Sequence, residues 1–289
     1  MDITHCHLCP NACGADRRRS PGRCHAPAEA LVCRAALQYG EEPVLSGSRG
    51  SGCIFFAGCS MDCVFCQNYE ISHFTVGKAC SATQIVDTIR DLERKGAHNI
   101  HFVNPTHYAH ILYEALHLYR PAVPVVYNTG GYDSVQTLRE LEGLIDVYLP
   151  DLKYLSPQSA AKYSGRPDYP AVACAAIAEM YRQTGPVLVQ DGLLHRGLLI
   201  RHLVMPGLSS ESVRIIEYLA GQYGDRIFLS VMSQYTPHGK AADFPEIHRT
   251  LLPIEYKRAV AALRRTGMQH AFVQDPDSTG EEYIPAFQT

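Results

Sequence analysis

The 289-residue sequence contains no run of about 18 apolar residues, so a membrane-spanning helix is not expected. Its first residues, MDITHCHLCP, lack a charged segment leading into an apolar one, so a secretory signal is not expected either. Blocks of like charge are also missing. With 26 basic and 29 acidic residues the formal charge is −3, which gives nucleic-acid phosphates nothing to attract from composition alone. Disorder is excluded as well, because 46% of residues are hydrophobic against 19% charged, ample material for a core. These absences predict a cytoplasmic, globular chain with neither a membrane nor a nucleic acid as partner. The length exceeds an ordinary single domain, yet one α/β barrel can absorb it.

Cysteine is not scarce. There are 11, and nine of them (Cys6, Cys9, Cys13, Cys24, Cys33, Cys53, Cys59, Cys63 and Cys66) precede residue 67. In a reducing compartment such clustering points to metal or catalysis more than to disulfides. The asymmetry divides the chain into a Cys-rich, metal-binding leader, residues 1–48, and a body, residues 49–289. Within the leader, Cys6, Cys9, Cys13 and Cys24 have the count and spacing of a second metal site, either zinc or an auxiliary iron–sulfur cluster, with His5, His7 and His25 as possible substitute ligands.

The body alternates short β-branched or aromatic runs with longer amphipathic ones. Strands are predicted at 53–58, 99–104, 123–128, 146–151, 198–205, 226–232 and 270–274. Helices are predicted at 110–119, 135–144, 212–223, 256–267 and from Ser81, whose pairing with Gln84 three residues on is a capping box followed by Ile85, Ile89 and Leu92 at helical spacing. The alternation implies parallel strands joined by crossovers, and the fold class predicted is α/β, a partial (β/α)6 barrel with a small Cys-rich N-terminal extension. A doubly wound open sheet is the competing architecture. In either one, ligands bind at the carboxyl ends of the strands. Those ends read GCSMDCVFC, NPTHY, NTGGY, PDLKY, MPG and SQYTP, a polar set in which Asn104, Thr106 and Asn128 are candidate ligand contacts. His107, His110, His195 and His202 also fall near predicted strand ends, while Tyr132 and Tyr235 are candidates to shape a substrate cavity, with packing as the default reading.

Four cysteines would close a structural zinc tetrahedron; the loop after the first predicted strand of the body offers three, Cys59, Cys63 and Cys66. A four-iron cluster held by three thiolates keeps one iron free for a further ligand. Phe65 stands where it can pack over the exposed side. This loop, GCSMDCVFCQN, resembles the radical S-adenosylmethionine superfamily, whose signature is C-x3-C-x-aromatic-C after the first strand of a partial barrel. The resemblance implies that Cys59, Cys63 and Cys66 ligate a [4Fe-4S] cluster whose fourth iron is chelated by S-adenosylmethionine. The activity implied is reductive cleavage of that cofactor to a 5′-deoxyadenosyl radical, which takes a hydrogen atom from a substrate.

Further stretches are similar to the glycyl-radical enzyme activating group, the pyruvate formate-lyase type. They are Asp151-Leu152-Lys153 followed by KYSG at 162–165, and IRHLVMPG at 200–207, with Leu203 where that group has proline. CHLCPNAC in turn resembles the N-terminus of an uncharacterised activase-like subgroup. The resemblance implies that Asp151, Lys153 and Arg201 hold the ribose or methionyl groups of the cofactor. Only one of Asp151 and Lys153 is expected to face a given side of the wall. Two departures stand out: Asn104-Pro105-Thr106-His107 occupies the place of the superfamily's G-G-E type motif, and no eight-cysteine insertion follows Cys66. The implied partners are a glycyl-radical enzyme or another polypeptide, and an electron donor of the flavodoxin or ferredoxin type. Radical modification of a peptide, nucleic acid or small metabolite is the alternative within the same chemistry. A non-enzymatic zinc-binding interaction module is the alternative outside it.

Overall fold

The computed structural model describes residues 1–74 and 76–274. Residues 1–29 run without regular secondary structure. In chain order there follow β1 (Ala30–Gln38), α1 (Pro43–Ser46), β2 (Ser51–Phe56), α2 (Tyr69–His73), β3 (Lys78–Cys80), α3 (Ala82–Arg94), β4 (Ile100–Val103) and α4 (Ala109–Leu118). Then come β5 (Val125–Thr129), α5 (Val135–Glu140), β6 (Val147–Pro150), α6 (Pro157–Ser164), α7 (Tyr169–Thr184), β7 (Leu188–Gln190) and β8 (Leu193–Leu203). The last elements are α8 (Ser209–Tyr223), β9 (Phe228–Met232), α9 (Pro253–Thr266) and β10 (Ala271–Val273).

All strands but β7 lie in the order β10-β9-β8-β6-β5-β4-β2-β1-β3, with β7 flanking β8. From β2 to β10 every neighbouring pair on that path is parallel. Among the described residues the sheet does not close, and its architecture is that of the expected partial barrel. The seven predicted strands all form. Three were not expected: β7, paired antiparallel with β8, and β1 and β3, which extend the sheet antiparallel beyond β2.

The reasons for this layout are local. The Ser81–Gln84 capping box starts α3: the Ser81 hydroxyl accepts from the Gln84 N–H at 3.4 Å, and Gln84 Oε1 accepts from the Ser81 N–H at 2.9 Å. Ile85, Ile89 and Leu92 then bury one face of that helix. Parallel register partners share a face, so Cys53, His101, Val126 and Val147 form one row across β2, β4, β5 and β6. Val126, Val147, Leu149, Leu199 and Phe228 pack with Leu45 of α1 into a separate apolar cluster. The larger core lies chiefly between the sheet and its helices, including α7, whose Tyr169, Ala173, Ala176, Ile177 and Met180 are buried.

The leader lies against the body by specific contacts. Arg17, only 2% exposed, donates to the carbonyls of Ala26, Pro27 and His107. His110 Nε2 lies 2.8 Å from the Ala28 carbonyl, and burial pushes its imidazolium down to about 4. The unfolded chain therefore binds a proton near pH 6.5 that the folded chain refuses until about pH 4, so this group costs stability as pH falls through that window. Replacing it by His110→Gln, which can still donate to Ala28, should remove about 1.4 kcal/mol per pH unit of acid destabilisation. Urea midpoints measured between pH 6.5 and pH 4 test this, and a slope identical to the parent's would exclude the assignment.

Candidate active site

The loop joining β2 to α2 carries Cys59, Cys63 and Cys66 to the carboxyl end of the parallel strands. Its first turn needs Gly58, where φ is +80° and an added Cβ would lie 2.4 Å from the Cys24 carbonyl oxygen. Together with Met61 and Phe65 the three cysteines line a cavity of about 230 Å³, whose far walls are built from Asn104, Asn128, Asp151, Lys153 and Arg201. The predicted contacts thus converge, with one exception. Thr106 is turned away and buried: its hydroxyl donates to Asp133 Oδ1 at 2.8 Å and lies 3.0 Å from the Thr129 hydroxyl.

Each thiol has its own polar neighbour. Cys59 Sγ is 3.8 Å from Asn104 Oδ1 and accepts from the Met61 N–H at 3.4 Å; Cys63 Sγ is 3.0 Å from the Ser164 hydroxyl; Cys66 Sγ accepts from the Ser72 hydroxyl at 3.4 Å. Burial pushes all three thiols up, Cys63 to about 11, and charge on neighbouring thiolates pushes Cys59 and Cys63 the same way. Lys153 opposes this. Burial alone would lower its ammonium, but Asp151 and Cys63 beside it hold it well above the usual lysine range. The site thereby keeps a permanent cation next to Cys63.

Lys153 is ion-paired with Asp151, and both line the cavity. This corrects the expectation that only one would face it, because residues two apart share a face. Tyr169 of α7 locks the turn: its hydroxyl lies 3.0 Å from the Gly130 carbonyl and 2.9 Å from that of Asp151, and accepts from the Lys153 N–H at 3.0 Å. Gly131 allows this turn, since with φ at +83° a Cβ would fall 2.2 Å from the Asp151 carbonyl oxygen. Asn104 also has positive φ, +58°, and its Nδ2 donates to the Gly58 carbonyl at 2.7 Å, bracing the cysteine loop.

Arg201 is engaged within the protein. It donates through Nε and Nη2 to both Glu42 oxygens, at 2.9 and 2.6 Å, and Nη2 also reaches Glu41. Glu42 is buried, which alone would raise its carboxyl, yet the guanidinium holds it down to about 2. Arg201 faces a second, larger cavity of about 670 Å³, lined also by Gln67, Asn68, Val103, Asn128, Met232 and Gln234, which belong to the smaller cavity too. The two are one continuous cleft.

None of the four singled-out histidines lines this cleft. His107 lies 2.7 Å from the Ala57 carbonyl, and His202 is held between the Leu152 carbonyl and the Ser212 hydroxyl at 2.8 and 2.9 Å. His110 faces the leader, and His195 sits near the amino end of β8. Tyr132 donates to Asp168, whereas Tyr235 lines the cleft with its ring 6.0 Å from that of Phe65. Ser164 and Tyr169 were missed. Ser164 lies inside the KYSG stretch, which was a signal for it; Tyr169 had none.

In the leader, Cys6, Cys9 and Cys24 are buried and Cys13 is exposed. They are near one another: Cys9 is pushed up to about 12 by burial first, then by Cys24 and Cys6, and a Cβ on Gly22 would lie 3.3 Å from Cys13 Sγ and 3.7 Å from Cys24 Sγ. The leader thiols abut the loop of the body, since the Cys59 N–H donates to the Cys24 carbonyl at 3.1 Å and Asn11 Nδ2 donates to the Ser60 carbonyl at 2.7 Å.

The donor set of the body loop suits a polynuclear iron–sulfur centre. Three soft thiolates come from one loop and line a cavity beside a cation. Sequence comparison agrees. Residues 53–219, more than half of the chain, match the family model described as the radical SAM superfamily, and the chain belongs to that superfamily. It is 30% identical over 269 residues to the uncharacterized protein MJ0674 of Methanocaldococcus jannaschii, covering 89% of this chain and 73% of that one.

Similar folds occur in SuiB of Streptococcus suis bound to S-adenosylmethionine, with TM-score 0.52 at 14% identity over 75% of this chain and 47% of SuiB. SuiB bound to its precursor peptide SuiA gives 0.51 at 14%, over 75% and 46%. Methylornithine synthase gives 0.50 at 12%, over 79% of this chain and 71% of that one. The chain spans under half the length of SuiB. The superfamily implies a [4Fe-4S] cluster and S-adenosylmethionine, and it removes the reading of the body as a non-enzymatic zinc module.

Cys63→Ala should abolish iron binding at the body loop and formation of 5′-deoxyadenosine under reducing anaerobic conditions. Ser164→Ala, which deletes a hydrogen-bond partner of a ligand sulfur, should keep the iron and make the cluster potential more negative. Iron analysis, product chromatography and redox titration read these outcomes; full cofactor cleavage by Cys63→Ala would exclude this loop as the cluster site.

Proposed function

We propose that this chain activates a glycyl-radical enzyme, taking a hydrogen atom from a backbone glycine of a protein partner. The observation that carries the reading is the place where the cleft opens. Arg34 and Gln38 of β1 and Phe272 and Val273 of β10 line the same 670 Å³ cavity, so among the described residues it lies between the two unpaired ends of the sheet. A seam of this kind admits a loop of a folded polypeptide from the side. The Asp151-Leu152-Lys153 and IRHLVMPG stretches favour the same reading, and the fold is shared with a protein whose structure holds a precursor peptide.

In this reading Cys59, Cys63 and Cys66 would hold a [4Fe-4S] cluster, and Phe65, Asn104, Asn128, Asp151 and Lys153 would contact S-adenosylmethionine. When bound, the cluster supplies the electron that breaks a carbon–sulfur bond of the sulfonium cofactor. The residues of this chain do the positioning. The Lys153 ammonium offsets negative charge at Cys63, while the Asn104 and Asn128 amides offer hydrogen bonds in place of the superfamily's G-G-E type motif. Phe65, Met61 and Tyr235 keep water from the reacting centre. An electron donor of the flavodoxin or ferredoxin type is the second partner this requires.

Incubating the reduced, cofactor-loaded enzyme with a candidate glycyl-radical enzyme should yield a glycine-centred radical by electron paramagnetic resonance. Cofactor cleavage without any such radical across candidate partners would overturn activation and leave radical modification of another substrate.

We further propose that Cys6, Cys9, Cys13 and Cys24 hold a second metal centre, zinc or an auxiliary iron–sulfur cluster, anchored to the body loop through Cys24 and Asn11. Cys9→Ser should lower the metal content of the purified protein by that centre alone, as read by mass spectrometry of metals. Unchanged content would exclude the site.

A further inference from the structure

The interior of the barrel carries another group of ligand-type side chains. Glu41 between β1 and α1, Cys53 on β2 and His101 on β4 bring a carboxylate oxygen, a sulfur and a ring nitrogen within 4.8 Å of one another. Cys53 and His101 are register partners on adjacent parallel strands, hence on one face at one height, and both are fully buried.

The hydrogen bonding around His101 fixes which nitrogen is free. Asn99 Nδ2 donates to the Leu45 carbonyl at 2.9 Å, so its Oδ1 faces Ser51 and accepts the Ser51 hydroxyl proton at 2.5 Å. With its proton committed, the Ser51 oxygen can only accept from His101 Nδ1, 3.3 Å away. Nδ1 therefore carries the proton and Nε2 holds the lone pair. Nε2 is buried and has no hydrogen-bond partner, a costly state for a basic nitrogen unless something binds it. An imidazole whose far N–H is held by a neighbouring acceptor is the usual arrangement of a metal-ligating histidine.

Glu41 and the local charge point the same way. Its Oε2 is taken by Arg201, while Oε1 lies 4.0 Å from Cys53 Sγ. A Cys53 thiolate beside Glu41 would be a further buried negative charge, and a divalent cation would offset it.

We propose that Glu41, Cys53 and His101 bind a divalent cation of the zinc class, with a fourth coordination position open towards the 670 Å³ cavity that Glu41 lines. Mixed thiolate, imidazole and carboxylate donors select such an ion, and three protein ligands with an open fourth position are the pattern of a reactive rather than a structural zinc site. Bonds of about 2.0–2.3 Å to one ion require the three atoms to draw together, Cys53 Sγ and Glu41 Oε1 by about half an ångström from their 4.0 Å separation. The site stands apart from both the body loop and the leader thiols and does not depend on the radical reaction.

The test is zinc titration of the full, anaerobically cluster-loaded chain, with zinc and iron counted by mass spectrometry. Cys53→Ser and His101→Gln should each lose one zinc per chain or weaken its binding about a hundredfold, with iron unchanged. Zinc stoichiometry and affinity equal to the parent's in both variants would overturn the site. Should either variant fail to fold, cobalt-loaded Cys9→Ser protein, which lacks the leader centre, is read by X-ray absorption: nitrogen or oxygen ligands alongside sulfur are expected, and a shell of sulfur alone refutes the site.

Discussion

Arg201 lies on β8 and meets Glu41 and Glu42, about 160 residues earlier in the chain, inside a barrel whose end strands are not paired with one another among the described residues. This buried pairing spans the interior from the late strands to the segment between β1 and α1. An ion pair so placed is weak evidence for net stability, because two desolvated carboxylates and a guanidinium cost nearly what they return. Its effect is geometric. Losing either partner leaves a bare charge in the interior, so β8 and the β1–α1 segment are held to one separation, and the width of the cleft above them follows.

The cleft divides its chemistry between levels. At the mouths of the strands, the cysteine loop is braced by the leader through Cys24, by β4 through Asn104 and by the end of α6 through Ser164. Tyr169 of α7 fixes the Asp151–Lys153 turn opposite, so the cation beside Cys63 is held by two elements rather than one. In the larger cavity, which Phe55 and Ser230 also line, Glu41 and Glu42 answer to Arg201 rather than to Lys153. A single strand end could not supply both settings.

Much of this was legible in the sequence. The C-x3-C-x2-C spacing survives folding because it lies within one loop, where covalent geometry does most of the placing. The seven parallel strands announced themselves through β-branched runs bounded by turn residues, and the Ser81–Gln84 box through an interaction spanning three residues. What failed was long-range or weakly patterned. Helix α7, YPAVACAAIAEMYRQT, is so rich in alanine that its buried stripe barely stands out. The pairing of β1 with β2 joins a segment assigned to the leader to the body sheet. Thr106 is polar and at a strand mouth like Asn104, and only the buried carboxylate of Asp133, 27 residues on, decides that it points elsewhere. The pairing of Arg201 with Glu41 and Glu42 was not legible, because they lie far back in the chain, where no local pattern connects them.

The contact between Gly58 and Cys24 contains no slack. A single added carbon at position 58 would stand 2.4 Å from the Cys24 carbonyl oxygen, and the next residue's N–H is already donated to that oxygen. A shift in either backbone has no compliant element to absorb it and passes directly to the other. The two groups of cysteines, separate in sequence, therefore behave as one mechanical body: distortion of the leader is a displacement of the first thiol of the body loop.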